Sequence, residues 1–300
     1  MELNKYFNRK SVFLFLVLTL APLIIAYTIF RLYPLLFIVF MSFFKWDGIS
    51  EPRFIGLNNY IELINDPVFW NALKNNVLLA LLSIMIEIPI GLILAYLLVI
   101  EPRIRCKTFF RVVYFTPMVL PTAALGLLWS LIYDPTFGPL NQFLRAIGLG
   151  FLAREWLADP SVAIWAVILV IVWQWTGWYF VLNLAAVSSI PTEILEAALV
   201  DGASKWTILK EIVIPLIKSP LLMQITLAST GSLMYFDLVW IMTRGGPAHA
   251  TEVVATWLYR KAFFFNQFGY GSCMATVLTI ITLIVGAYWI LQVSKGASYR

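Results

Sequence analysis

The chain has 300 residues, of which 61% are hydrophobic, 16% aromatic and only 12% charged. Water-soluble domains are about half apolar and a quarter charged, so this chain has too little polar surface to cover a soluble globule. Its net charge of +5 therefore reads as an orientation signal in a bilayer, and soluble enzymes, nucleic-acid readers and disordered scaffolds are excluded. Cys106 and Cys273 match no disulfide or zinc spacing, and His249 is the single histidine, so redox and metal chemistry are not expected.

A bilayer core takes about 20 apolar residues as helix, and six stretches qualify. The first runs from Val12 to about Phe30, with a further apolar run from Leu32 to Phe44 beyond Arg31 and Pro34, which mark a kink or an exit from the membrane. Lys5, Arg9 and Lys10 precede it as in a signal peptide, but the apolar run is too long and no small-x-small cleavage site follows, so a retained anchor is predicted. The other spans are Val77–Ile100, Val112–Tyr133, Val162–Leu184, Leu221–Met242 and Cys273–Val293. Alternating barrel periodicity is absent, so the spans are helices. Six spans put both termini on one side. The larger share of Lys and Arg, clearest at Lys5, Arg9, Lys10, Arg103, Arg105, Lys107 and Arg111, makes that side cytoplasmic. No repeat or linker divides the chain, so residues 1–300 are read as one all-α membrane bundle.

Between the fourth and fifth spans lies a polar loop, about 190–215. Pro191 followed by Glu193 and Glu196 starts a helix with acids near its positive end. Asp201-Gly202 interrupts it, Gly ending one helix and Asp capping the next. Trp206, Leu209 and Val213 then form an apolar stripe at i, i+3 and i+7. Two short helices joined by a bend are expected. These residues fit an interfacial connector and a docking element equally well.

Within the spans, polar groups are costly and informative. Glu87, beside Pro89, caps a kink or finds a basic or amide partner, and Asp237 serves either pore lining or helix packing. In the fourth span Trp175 and Trp178 share a face at i, i+3, next to Gln174, and Ser232 and Tyr235 repeat that spacing in the fifth. Flat rings stack on sugar faces while amides and hydroxyls bond the rim. Substrate lining is favoured slightly over packing for Trp175, Trp178, Ser232 and Tyr235.

The segment Glu196-Ala197-Ala198-x-x-Asp201-Gly202-Ala203, then Ile212 and Pro215, resembles the EAA loop of ABC importer permeases, with Leu209 where Phe is commoner. Tyr33-Pro34, Ser42-Phe43 and Trp46, Gly56-Leu57-Asn58-Asn59-Tyr60, and Phe115-Thr116-Pro117 with Pro121 and Trp129 resemble carbohydrate-type members. Thr243-Arg244-Gly245-Gly246-Pro247 with Thr251-Glu252 and Tyr259 resembles the maltose-type F-like, first permease subunit. The resemblance implies a MetI-like permease fold with its core at about 71–293. It makes Glu196, Ala197, Ala198, Asp201, Gly202, Ala203, Trp206, Leu209, Ile212 and Pro215 a coupling helix seated in a cleft of an ATP-hydrolysing subunit. It also places sugar contacts in the fourth and fifth spans, among Trp175, Trp178, Ser232, Tyr235 and Asp237. The implied partners are a second, related permease, an ATPase dimer that binds the ATP, an extracytoplasmic solute-binding protein, the lipid bilayer of the cytoplasmic membrane and a sugar.

No Gly-x-x-x-x-Gly-Lys-Ser/Thr phosphate loop and no hydrolase motif is present, so no cofactor and no enzymatic activity are expected of this chain. An ion-coupled carrier, the rival class, predicts inverted repeats and several midplane charges. Neither is found. A glycerol-phosphate or other polyol substrate stays open beside a sugar.

Overall fold

A computed structural model describes residues 9–101 and 107–297. Lys5, Arg103, Arg105, Cys106 and Arg300 lie outside the described residues. Among the described residues five helices are long and apolar enough to cross a membrane, or six if one bent pair is counted as a span.

The first, α1 (Phe15–Met41), runs straight past the expected exit. Thr28–Leu32 is a π-helical turn, which widens the helix just ahead of Pro34 and leaves a place for its missing N–H. Arg31 and Pro34 therefore mark a local irregularity within one span, and the apolar run beyond them belongs to it. After α1 come a two-residue hairpin, β1 (Phe44–Lys45) and β2 (Arg53–Phe54), and a short helix, α2 (Asn58–Ile64). The second span, α3 (Pro67–Ile100), carries a π turn at Ser83–Glu87.

The third span is the main departure from the hydropathy reading. Val112–Tyr133 is not one helix: α4 (Lys107–Val119) and α5 (Thr122–Ile132) meet at 94°. Pro121 is the cause, because its ring disfavours helical geometry at Leu120 and its own position becomes the N-cap of α5. A short α6 (Pro139–Ala146) precedes the fourth span, α7 (Ala163–Ser188). The loop helices are α8 (Thr192–Val200) and α9 (Lys205–Ile208). The fifth span is broken as well, into α10 (Lys218–Leu233) and α11 (Asp237–Met242), with Met234–Phe236 non-helical between them. A short α12 (Val254–Tyr259) and the last span, α13 (Phe268–Ala297), complete the chain.

Contacts divide the chain into two compact units. One comprises residues 1–65 and 260–277. In it the hairpin pairs Phe44 with Phe54 and Lys45 with Arg53, and Asn59 Nδ2 donates to the carbonyls of Ser42 and Phe44 at 2.8 and 2.9 Å. Asp47 closes the hairpin loop by accepting from the backbone of Ile49 and Ser50 and from the Ser50 hydroxyl. Those bonds hold its carboxyl down at about 2.

The other unit comprises residues 66–259 and 278–300. Helices in lipid gain little from hydrophobicity and associate through close packing. Gly91 on α3 lies against α7 so closely that a Cβ there would sit 2.7 Å from the Phe180 backbone nitrogen. Its core is built from Leu79, Leu125, Val167, Val170, Ile171, Leu238 and Val239. One polar pair joins helices in this interior, where Gln224 Nε2 donates to Asn183 Oδ1 at 3.0 Å.

Candidate functional site

The two i, i+3 pairs singled out in the fourth and fifth spans meet. Trp175 and Trp178 on α7, Ser232 at the end of α10, Tyr235 in the break and Asp237 at the start of α11 line one cavity of about 500 Å³. The π turn of α3 adds Ser83 and Glu87 to the same wall. Glu87 is 1% exposed, makes no side-chain cap bond to the helix that starts at Ile88, and accepts from the Ser83 hydroxyl at 3.0 Å where the sequence suggested a kink cap or a basic or amide partner. Asp237 is exposed. Two of the described lining residues are acidic and none is basic. Gln174 is buried, lies off the lining and leaves its Oε1 without a hydrogen bond. The break in the fifth span gives the cavity its polar edge, since it brings Ser232, Tyr235 and Asp237 onto one lining.

The 190–215 loop has the expected bend. Gly202 ends α8 at φ +79 with nothing within 4 Å of where a Cβ would stand, so the conformation alone requires glycine there. The cap of the next helix differs from expectation. Asp201 is the C-cap of α8, and Ser204 is the N-cap of α9, its hydroxyl accepting from Thr207 N at 3.1 Å.

The apolar stripe is split. Trp206 is 66% exposed, whereas Leu209 is 4% and Val213 0% exposed. The chain winds into a π turn at Leu209–Val213, which breaks the 3.6-residue period. Leu209 and Val213 thereby join Leu92, Tyr96, Ile100, Val187, Ile190, Leu195 and Ile208 in an aliphatic cluster. Ala198 is buried in that cluster, with Ala203 and Ile212 packed against it. Glu196, Ala197, Asp201, Gly202 and Pro215 face outward. The Tyr96 hydroxyl donates to the Lys205 carbonyl at 2.7 Å, and Lys205 forms an ion pair with Glu101. The loop is thus fixed to the end of α3.

A third region was not read as a site. Asn71, Asn75 and Asn76, near the start of α3, donate to backbone carbonyls of the 243–257 segment and of the break in the fifth span. Asp66 accepts from the backbone of Val68 and Phe69, capping α3, and from Trp257 Nε1 at 2.7 Å. Glu252 is fully buried and accepts from the Thr256 hydroxyl. Three amides within six residues at the head of an apolar run were the available signal.

Residues 87–295 match the family described as binding-protein-dependent transport system inner membrane component. The probable ABC transporter permease protein YurN of Bacillus subtilis is 42% identical over 277 residues, covering 92% of this chain and 93% of that protein. The lactose transport system permease protein LacF of Rhizobium radiobacter is 36% identical over 279 residues, covering 92% and 91%. Among solved structures, a chain of a bacterial ABC transporter involved in the import of the acidic polysaccharide alginate superposes with a TM-score of 0.81 at 21% identity, over 94% of this chain and 95% of that one.

Proposed function

The chain belongs to the family of binding-protein-dependent transport system inner membrane components, as a sugar-type ABC importer permease, and from that premise we propose that it forms half of the pathway of an ATP-driven sugar importer. The observation that carries this reading is the cavity in which Trp175, Trp178, Ser232, Tyr235 and Asp237 converge. Its aromatic faces suit the apolar faces of a sugar ring, and its hydroxyls and carboxylates suit the ring's rim. With Glu87 and Asp237 on the described lining and no basic residue, it favours a neutral sugar over a glycerol phosphate.

The chain assembles with a second, related permease, an ATPase dimer and an extracytoplasmic binding protein, with both termini in the cytoplasm. ATP is bound by the ATPase subunits. The 190–215 loop faces them. Glu196, Ala197, Asp201, Gly202 and Trp206 supply its contact surface and bend, while Ala198, Ala203, Leu209 and Ile212 hold its shape from inside and Pro215 leads into the fifth span. Energy passes through this loop, and Lys205 anchors it to the end of α3.

The test is uptake by vesicles that contain all four components and a panel of neutral sugars. Trp175→Ala and Trp178→Ala raise the half-saturating sugar concentration about tenfold, equivalent to about 1.4 kcal/mol, while the complex still assembles and hydrolyses ATP. Unchanged uptake in both variants removes this cavity from the pathway.

A further inference from the structure

The side chain of Asn76 is completely buried and makes three of the four hydrogen bonds open to its amide, with both donors used. Nδ2 donates to the carbonyls of Ser232 and Leu233 at 2.7 and 3.2 Å. Oδ1 accepts from the backbone N–H of Val254 at 2.9 Å. The two carbonyls belong to the last residues of α10, immediately before the break that lines the cavity. Val254 is the first residue of α12, at the end of the 243–257 segment. Both are helix ends whose backbone groups lack intrahelical partners. One amide thus joins the end of the cavity-lining helix to the start of the helix that follows the loop.

Asn75 gives the internal contrast. Its Nδ2 donates to the carbonyls of Ala250 and Glu252, at 2.9 and 2.8 Å, and Asn71 Nδ2 donates to the His249 carbonyl at 2.9 Å. Those two asparagines hold the loop. Only Asn76, of the three, also holds the break.

We propose that Asn76 is a positioning residue that transmits displacement of the 243–257 segment to the break in the fifth span, and so to Ser232 and Tyr235 in the cavity. This rests on the importer reading: with six spans and both termini in the cytoplasm, the segment between the fifth and sixth spans lies on the outer side, where the binding protein docks. Docking of that protein shifts α12, and the shared amide carries the shift to the carbonyl end of α10 through no side chain but its own. Aspartate is the informative replacement: it keeps the shape of asparagine, but its second oxygen cannot donate and faces two carbonyl oxygens. Val254→Pro is the complementary one. It deletes the N–H accepted by Asn76 Oδ1 and leaves the bonds to α10 intact, and proline is tolerated at the first position of a helix.

The experiment reads the cavity directly. A cysteine replaces Met234, an exposed residue of the lining, in the fully assembled transporter in vesicles, and a water-soluble methanethiosulfonate is the probe. Co-sedimentation of the binding protein is measured in parallel. With Asn76 and Val254 in place, adding the binding protein changes the labelling rate about fivefold or more. Asn76→Asp and Val254→Pro abolish the change while the binding protein still co-sediments, and Asn71→Ala, which removes a single half-buried bond to the loop, retains it. A response equal to that of the parent in either linkage variant overturns the proposal, as does loss of the response in Asn71→Ala. If Asn76→Asp fails to assemble, Val254→Pro decides. Failure of the binding protein to co-sediment with the unmodified transporter is a different result, and overturns the importer reading on which the proposal stands.

Discussion

The 190–215 loop and the 243–257 segment are both connections outside the long helices, yet they are held by opposite chemistry. The first is seated by an aliphatic cluster around Ile208, Leu209 and Val213, with Tyr96 and Lys205 as its polar ties. The second is held by side-chain amides and a buried carboxylate that bond its backbone and hydroxyls. Apolar packing is non-directional and tolerates sliding or rotation of the packed body. Hydrogen bonds to backbone are directional and leave costly orphans when lost. The difference teaches that one loop is seated mainly by the area it buries, with two polar ties at Lys205, whereas the register of the amide-held segment is fixed bond by bond along its backbone.

The largest effect is expected where that register is lost. Asn75→Leu strands the Ala250 and Glu252 carbonyls, and each buried unsatisfied group costs about 1–3 kcal/mol. The purified protein should therefore lose about 2–6 kcal/mol of stability, read as a lower thermal midpoint together with rapid proteolysis within 243–257. Leu209→Ala comes next. A buried leucine truncated to alanine costs about 2–5 kcal/mol, at the low end here because neighbouring aliphatics can close in. Proteolysis should then concentrate in 190–215 and spare 243–257. Equal cleavage of both segments in either variant breaks the contrast.

Smaller effects sharpen it. Gly202→Val forces a side chain into a left-handed turn, at a cost of about 1 kcal/mol or more. Open space surrounds the position, so the variant folds; its loss should appear in ATP-driven uptake rather than in thermal stability. The smallest effect is a pH dependence at the hairpin of the other unit. The Asp47 carboxyl is held near 2, below its usual value. Its contribution is fully present above the ordinary carboxylate range and is lost as pH falls through about 2. The Ile49 and Ser50 amides should therefore be protected from hydrogen exchange at pH 5 and lose that protection, relative to the rest of the hairpin, near pH 2. Asp47→Asn should remove the pH dependence.

Much of this was legible in the residues, for reasons that also explain what was not. Hydropathy located the five long helices and the bent pair, because about 20 apolar residues in a row have few other uses, although it ended the first of them too early, at Phe30. It missed the breaks at Pro121 and at Met234–Phe236, since an apolar average is blind to a turn that keeps the same composition. Asp201-Gly202 announced its bend through the conformational freedom of glycine. Leu209 and Val213 do share a face, but spacing could not show that this face is buried in the chain's own aliphatic cluster while Trp206 stays exposed. Trp175 with Trp178, and Ser232 with Tyr235, were found as helical pairs, but only the fold could show that the pairs meet and that Glu87 joins them. Asn76 was passed over because its partners lie far away in sequence, at Ser232 and Val254.

That separation has a consequence for biosynthesis. Asn76 enters the membrane 156 residues before the Ser232 carbonyl it will hold. At roughly 5–20 residues per second of chain elongation, α3 waits roughly 8–30 s with its amides facing lipid headgroups, water or the insertion machinery. Their place near the head of the span, within reach of the interface, limits the penalty of that wait. The order of synthesis thus makes the fifth span the element that seals the second, and a chain stalled before residue 232 leaves the ribosome with an exposed row of unpaired asparagines for quality-control proteases to find.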